Sequence, residues 1–167
     1  MDMAVLYGSK PVHGLSFSPL LKEELYLVGP PDMPLPDNQV ALSQLLDVEL
    51  LLPRPYNVVR KLVDEAFMGI HRAPHVVAEI ESASTLVAAI ADGLGATILP
   101  VSAARVIGAA CNARLCRIVD PVIEAPLSLC VSDHLPMSEP GLAVKEILME
   151  LVGDLAADNG QGQDSPS

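Results

Sequence analysis

The sequence has no tryptophan, three tyrosines and two phenylalanines, so aromatic residues make up only 3% of its 167 positions. Any core must be built from Leu, Val, Ile and Ala, and with 50% hydrophobic residues there is enough material for one. That composition suits packed α/β layers better than an all-β sandwich, which leans on aromatic and β-branched residues. Positive charge is also scarce: ten Lys and Arg face twenty-one Asp and Glu, for a net charge of −11. Nucleic-acid contact needs clustered cations that displace counterions from phosphates. The chain has no basic run, no helix with a basic face and no aromatic stacking platform. By itself it is not expected to bind DNA or RNA, and an acidic membrane surface would repel it.

Cysteine is limited to Cys111, Cys116 and Cys130, an odd number at no metal-ligand spacing. Cys111 and Cys130 lie among apolar residues and read as buried free thiols of a reducing compartment. His13, His71, His75 and His134 are scattered, with no H-E-x-x-H pair. Neither a metal nor a cofactor is expected. The opening apolar run, Met3 to Tyr7, follows no basic region and is too short for a secretion signal. No apolar stretch is long enough to span a bilayer, so the protein reads as cytoplasmic.

Catalytic signatures are missing too. There is no G-x-S-x-G elbow and no phosphate-binding loop. Gly93-Leu94-Gly95 precedes a strand, whereas a phosphate cradle needs glycines after a strand and before a helix. It reads as a helix C-cap leading into a tight turn. Glu79 and Glu81 alternate on one strand face as a candidate acid–base pair. With no nucleophile or His beside them in sequence, a carboxylate that sets a loop is the better reading. An enzyme is not expected.

What is present is an alternation of strands and helices. Strands are expected at Met3–Tyr7, Leu25–Val28, Glu49–Leu52, Val76–Ile80, Ala96–Leu99, Cys116–Val119 and Leu127–Val131. The stretch from Gly29 to Asn38 carries four prolines and reads as a stiff surface loop. A helical turn is expected at Ala41–Leu46. Asn57 can cap a helix to Met68, whose apolar stripe is Val59, Leu62, Val63, Ala66 and Phe67. Its Arg60–Asp64 and Lys61–Glu65 pairs read as a solvated face. Ser82-Ala83-Ser84-Thr85 opens a helix with Leu86, Ala89 and Ile90 on one stripe. Ser102 starts a short helix ending at Ile107, and a long amphipathic helix is expected from Ser138 to Leu155. Residues 159–167 read as a disordered tail. The pattern argues an α/β fold with a largely parallel sheet.

The sharpest chemical signal is Glu81-Ser82-Ala83-Ser84-Thr85 at a strand-to-helix junction. Open helix-end amides and neighbouring hydroxyls make a natural carboxylate or sulfate site. Ligands of open α/β sheets also gather beyond the carboxyl ends of strands. Plain N-capping by Ser82 or Ser84 explains the same residues, and the two readings stand about level.

The stretch from Val77 to Ser82, then Thr85-Leu86, then Ala89-Ile90-Ala91-Asp92-Gly93-Leu94-Gly95-Ala96-Thr97-Ile98-Leu99-Pro100, resembles the signature of LysR-type effector domains. Ser102-Ala103-Ala104 continues the match, and Pro53 with Arg60-Lys61-Leu62-Val63-Asp64 and Phe67 resembles the first helix of the family's second subdomain. The likeness runs from Asp2 to about Val152. Asp2–Gly8, Pro19–Gly29 and Ala143–Leu148 are similar to the branch that controls nitrogen assimilation.

This resemblance implies a periplasmic-binding-protein-like architecture: two α/β subdomains joined by crossing strands, with a ligand cleft between them. The second subdomain would span residues 20–121, and a truncated first subdomain residues 1–19 and 122–158. The family's winged helix-turn-helix is not in this sequence, so DNA would be reached only through such a missing part. The implied function is the effector-sensing part of a transcription regulator, with a stand-alone solute-binding module of the same fold as the alternative. Effector contacts carried over from the family fall on Tyr7, Glu81, Ser82, Ser84 and Thr85, with Arg54 a weaker candidate, and the effector would be a small anion. Contacts in a homo-oligomer of the full-length protein fall on Thr85, Leu86, Ala89 and Asp92. The strand Met3–Tyr7 would lack sheet neighbours, so the chain is expected to fold poorly alone.

Overall fold

A computed structural model describes residues 3–8, 14–36 and 38–132. The helix expected at Ser138–Leu155 and the tail 159–167 lie outside the described residues. The chain divides into two compact units, Met1–Lys22 with Pro126–Ser167, and Glu23–Ala125. Two strands run through both: β2 (Leu15–Gly29) and β8 (Glu124–Ser132). They are the crossing strands of a mixed α/β fold.

In the first unit, β1 (Met3–Tyr7) pairs antiparallel with β8, from Met3 opposite Val131 to Tyr7 opposite Leu127. β8 in turn lies between β1 and β2 in the sheet order. Leu129 and Cys130 are buried, whereas Val5 and Leu6 of β1 are exposed.

In the second unit, the end of β2 is flanked on both sides. Leu25–Val28 run antiparallel to β6 (Thr97–Pro100), and Tyr26–Gly29 run antiparallel to β7 (Arg114–Val119). β3 (Gln39–Ala41) pairs parallel with β7 and leads into a 3₁₀ turn at Leu42–Leu45. β4 (Leu50–Leu52) pairs parallel with β5 (Val76–Glu79). Ala96, just before β6, joins this pair to the rest: its N–H donates to the Glu49 carbonyl at 3.0 Å and its carbonyl accepts from Leu51 N–H at 2.8 Å. The order is then β5-β4-β6-β2-β7-β3, and every strand but β2 points the same way. Gly95 is required at this junction because a Cβ there would sit 2.7 Å from the Glu49 carbonyl oxygen.

Helix α1 (Val58–Gly69) joins β4 to β5, α2 (Ala83–Ala91) joins β5 to β6, and α3 (Val101–Cys111) joins β6 to β7. From α1, Val59, Val63 and Phe67 are buried at i, i+4 and i+8. Each such side chain contributes roughly 1.5–3 kcal/mol. Leu86, Ala89 and Ile90 of α2 pack with Ala104 and Ile107 of α3 over Val28 and Leu51. All three helices close on a left-handed residue: His71 (φ 58°), Gly93 (φ 74°) and Asn112 (φ 50°). After α2 the closure is a full Schellman motif, with Leu94 N–H donating to the Ala89 carbonyl and Gly93 N–H to that of Ile90, both at 3.0 Å. Among the described residues, no helix is long and apolar enough to cross a membrane.

Three expectations need correction. The second strand is not confined to Leu25–Val28 but starts at Leu15. Its inner part carries Glu23, 6% exposed and accepting a hydrogen bond from the Ser102 hydroxyl at 3.0 Å, a buried carboxyl group that breaks the hydrophobic pattern. The helix expected to stop at Ile107 continues to Cys111, because Gly108 is no terminator. It is buried where a Cβ would collide with Leu115 of β7, so the glycine permits close helix–sheet approach. Cys111 is half-buried, its thiol donating to the Ile107 carbonyl at 3.1 Å; Cys116 and Cys130 are buried, and none of the three is in a disulfide. The Arg117 guanidinium pairs with both oxygens of Glu24, and those hydrogen bonds raise its pKa above the ordinary value while burial opposes the rise. Arginine is charged throughout the neutral range anyway, so the raised value adds stability that is lost only at extreme alkaline pH.

Candidate functional site

The parallel strands β4 and β5 end side by side, and the loops that follow them build the candidate site. After β4 comes Pro53-Arg54-Pro55-Tyr56-Asn57, then α1. The Asn57 side chain accepts from Val59 N–H at 2.9 Å and Arg60 N–H at 3.3 Å, a complete N-cap. After β5 comes Ile80-Glu81-Ser82, then α2. Here the cap is thinner, with Ser82 Oγ accepting from Thr85 N–H at 3.5 Å. Ser82 Oγ and Ser84 Oγ share a hydrogen bond at 2.9 Å. Helix geometry leaves the first N–H groups of α2 without partners inside the helix, and they carry the positive end of its dipole.

One carboxylate ties the two loops together. Glu81 Oε1 accepts from the Arg54 backbone N–H at 2.9 Å. The residue expected to set a loop rather than do acid–base work is thus bonded to a loop amide. Its neighbour Glu79 turns to α1 instead, where Arg60 Nη1 donates to Glu79 Oε2 at 3.4 Å. An open groove of about 490 Å³ runs alongside, lined by Pro55, Arg60 and Val76–Glu79.

The structure brings Arg54, Glu81, Ser82, Ser84 and Thr85 together on one edge of the second unit, all exposed. Tyr7 belongs to the first unit, at the end of β1. Arg54 takes part through its backbone. Of the four residues carried over as partner contacts, Thr85 and Asp92 are exposed, but Leu86 and Ala89 are 8% and 6% exposed and packed into the chain's own core. Those two side chains belong to the stripe that docks α2 onto α3.

Arg60 is the residue that sequence reasoning misplaced. Expected on a solvated face, its side chain is 13% exposed. Nε donates to both Asp64 oxygens at 3.1 and 3.2 Å, and Nη1 donates to the Pro53 carbonyl at 2.8 Å. The i, i+4 pairing with Asp64 was visible. The reach back across the helix start to Pro53 was not.

The profile of the LysR substrate binding domain matches residues 1–152. The chain belongs to that family. Among curated relatives of this LysR domain, the nitrogen assimilation regulatory protein nac of Klebsiella aerogenes is 45% identical over 163 residues, covering 98% of this chain and 53% of that protein. The chain spans about half the length of the curated relatives it matches most fully. Among solved structures, the effector binding domain of QuiR in complex with shikimate superposes with a TM-score of 0.76 at 21% identity, covering 92% of this chain and 72% of that one. The regulatory domain of Synechocystis PCC6803 CcmR in complex with 2-PG gives a TM-score of 0.77 at 19% identity, covering 90% and 73%. At these identities the likeness is one of fold, and the fold is the LysR substrate-binding one, periplasmic-binding-protein-like, as the sequence resemblance implied.

Proposed function

We propose that this LysR domain is the effector-sensing part of a cytoplasmic transcription regulator of nitrogen-assimilation genes, and that a small anion docks at the start of α2. The 45% identity to a nitrogen assimilation regulatory protein supports the regulon. In this reading DNA is contacted by another part of the full-length protein, which is a homo-oligomer, and the domain performs no catalysis. The two units correspond to the family's two subdomains, residues 20–121 forming the second. Thr85 and Asp92 remain available to a partner copy.

The observation that carries the anion reading is the unfinished N-terminus of α2. Hydroxyls of Ser82 and Ser84 sit 2.9 Å apart beside unspent amides, at the carboxyl ends of parallel strands. The nearby carboxylate of Glu81 is occupied by Arg54 N–H. Shikimate, with which the effector binding domain of QuiR is in complex, is a carboxylate.

The test is calorimetric titration of the chain with shikimate and, separately, sulfate, for the natural sequence and for Ser84→Ala with Thr85→Val. Loss of about two hydrogen bonds to the anion, each worth roughly 1 kcal/mol, corresponds to roughly a thirtyfold weaker affinity. The melting temperature should move little, since both side chains are exposed. Equal affinity in the double variant, or no binding of either anion to the natural chain, would sink the assignment.

A further inference from the structure

Arg60 closes a circuit. Its guanidinium holds the Pro53 carbonyl at the end of β4 and the Glu79 carboxylate at the end of β5. From Pro53 the chain passes to Arg54, whose N–H binds the Glu81 carboxylate. From Glu81 the chain passes back through Ile80 to Glu79. Inside the ring, Ile80 N–H donates to the Leu52 carbonyl at 2.9 Å, the last rung between the two strands. Asp64 fixes the guanidinium from the other side. Ser82, the residue that begins α2, follows Glu81 directly.

We propose that Arg60 is a positioning residue for the anion site: from α1 it locks the two loops in the register that keeps the Glu81 carboxylate spent on Arg54 N–H and out of the way of an incoming anion. The inference rests on the proposed site at the start of α2. Its physical content is twofold. Charge-assisted bonds to a guanidinium are stronger than neutral ones, and a planar fork can serve several acceptors at fixed angles. If the fork is removed, the loop after β4 can shift, Arg54 N–H leaves Glu81, and a free carboxylate stands beside the α2 amides. Like charge at that distance opposes anion binding directly.

The experiment uses the full chain, its Arg60→Gln and Arg60→Lys variants, and Arg60→Gln combined with Glu81→Gln. Two readouts by nuclear magnetic resonance are needed. In the first, without ligand, amide exchange at Arg54 should speed up about tenfold in Arg60→Gln, with Arg60→Lys in between. Amides of Leu27 and Cys116, on the other side of the sheet, should not change; they report that the variants remain folded. In the second, sulfate is titrated while the Ser84 and Thr85 amide signals are followed. Arg60→Gln should weaken the response about tenfold, and adding Glu81→Gln should restore much of it, because the obstacle is a charge. A merely structural role for Arg60 predicts no such rescue, and that result overturns the proposal. Unchanged Arg54 exchange in Arg60→Gln overturns it as well. If the natural chain's Ser84 and Thr85 signals ignore sulfate, the anion reading falls, while Arg54 exchange still decides whether Arg60 holds the loops. Where Arg60→Gln does not fold, Asp64→Asn serves in its place: it frees one side of the guanidinium and should raise Arg54 exchange by a smaller factor, and no rise counts against the proposal.

Discussion

Helices α1 and α2 begin at equivalent places, each just past the carboxyl end of a parallel strand, and they begin differently. Asn57 gives α1 two cap bonds, at 2.9 and 3.3 Å, and Arg60 ties the helix back to Pro53. α2 receives one long cap bond from Ser82, whose hydroxyl is shared with Ser84. The first start is closed by its own chain. The second keeps donors unspent at a solvent-facing edge. Two ends with the same position in the topology are finished differently: one is capped twice and anchors a loop, the other carries a single long cap bond. Stability and ligand affinity should therefore separate cleanly between them.

The largest effect should come from Asn57→Ala. Loss of both cap bonds should cost about 1–2 kcal/mol, read as a lower urea midpoint with unchanged slope. A loss as small as that of the matching change in α2 would erase the contrast between the two starts. At the other ends of the helices the comparison runs in reverse. α2 closes on Gly93, which adopts φ 74° freely, whereas α1 closes on His71 at φ 58°, a conformation strained for a side chain bearing Cβ. His71→Gly should raise stability by about 0.5–1 kcal/mol, a rise of roughly 1–4 °C in Tm by calorimetry. Destabilisation instead would mean that the His71 side chain makes contacts worth more than its strain. The smallest effect on stability should be that of Ser82→Ala. Its cap bond sits at the distance limit, so the cost should be about 0.5 kcal/mol or less by urea titration. A cost equal to that of Asn57→Ala would show α2 to be as firmly capped as α1, and would remove the reason to see a ligand site there.

Much of this was readable in the residues, and the failures have physical causes. Asn57, Ser82 and Gly93 announce helix ends because short polar side chains cap and glycine tolerates positive φ. The apolar stripes of α1 and α2 matched the buried faces because nothing competes with the helical period there. The first half of β2 was missed because Pro19, Lys22, Glu23 and Glu24 interrupt any two-residue alternation, and the interruption is real: Glu23 is buried with a hydroxyl partner. Gly108 misled because a glycine that makes room for a neighbour looks the same in sequence as one that ends a helix. At the candidate site, the serines and Glu81 were found by local spacing. Arg60 was not, because its role depends on Glu79, nineteen positions away, and that distance closes only once β4 and β5 lie side by side. A family correspondence likewise names a helix, and only packing tells that the Leu86 and Ala89 face of α2 lies against the chain's own core.

The direction of β2 has a consequence in time. Within the second unit it is the one strand that opposes its neighbours and it lies at the centre of the sheet, yet it is the first of that unit to leave the ribosome. Leu25 must wait for Pro100, and Tyr26 for Arg117, before either side is covered. Contacts so distant in sequence form slowly, because the loop between them must be closed before they are rewarded. During synthesis the apolar run Leu25-Tyr26-Leu27-Val28 therefore stays uncovered until nearly the whole unit exists, and that interval is when the nascent chain is most open to aggregation or to capture by chaperones.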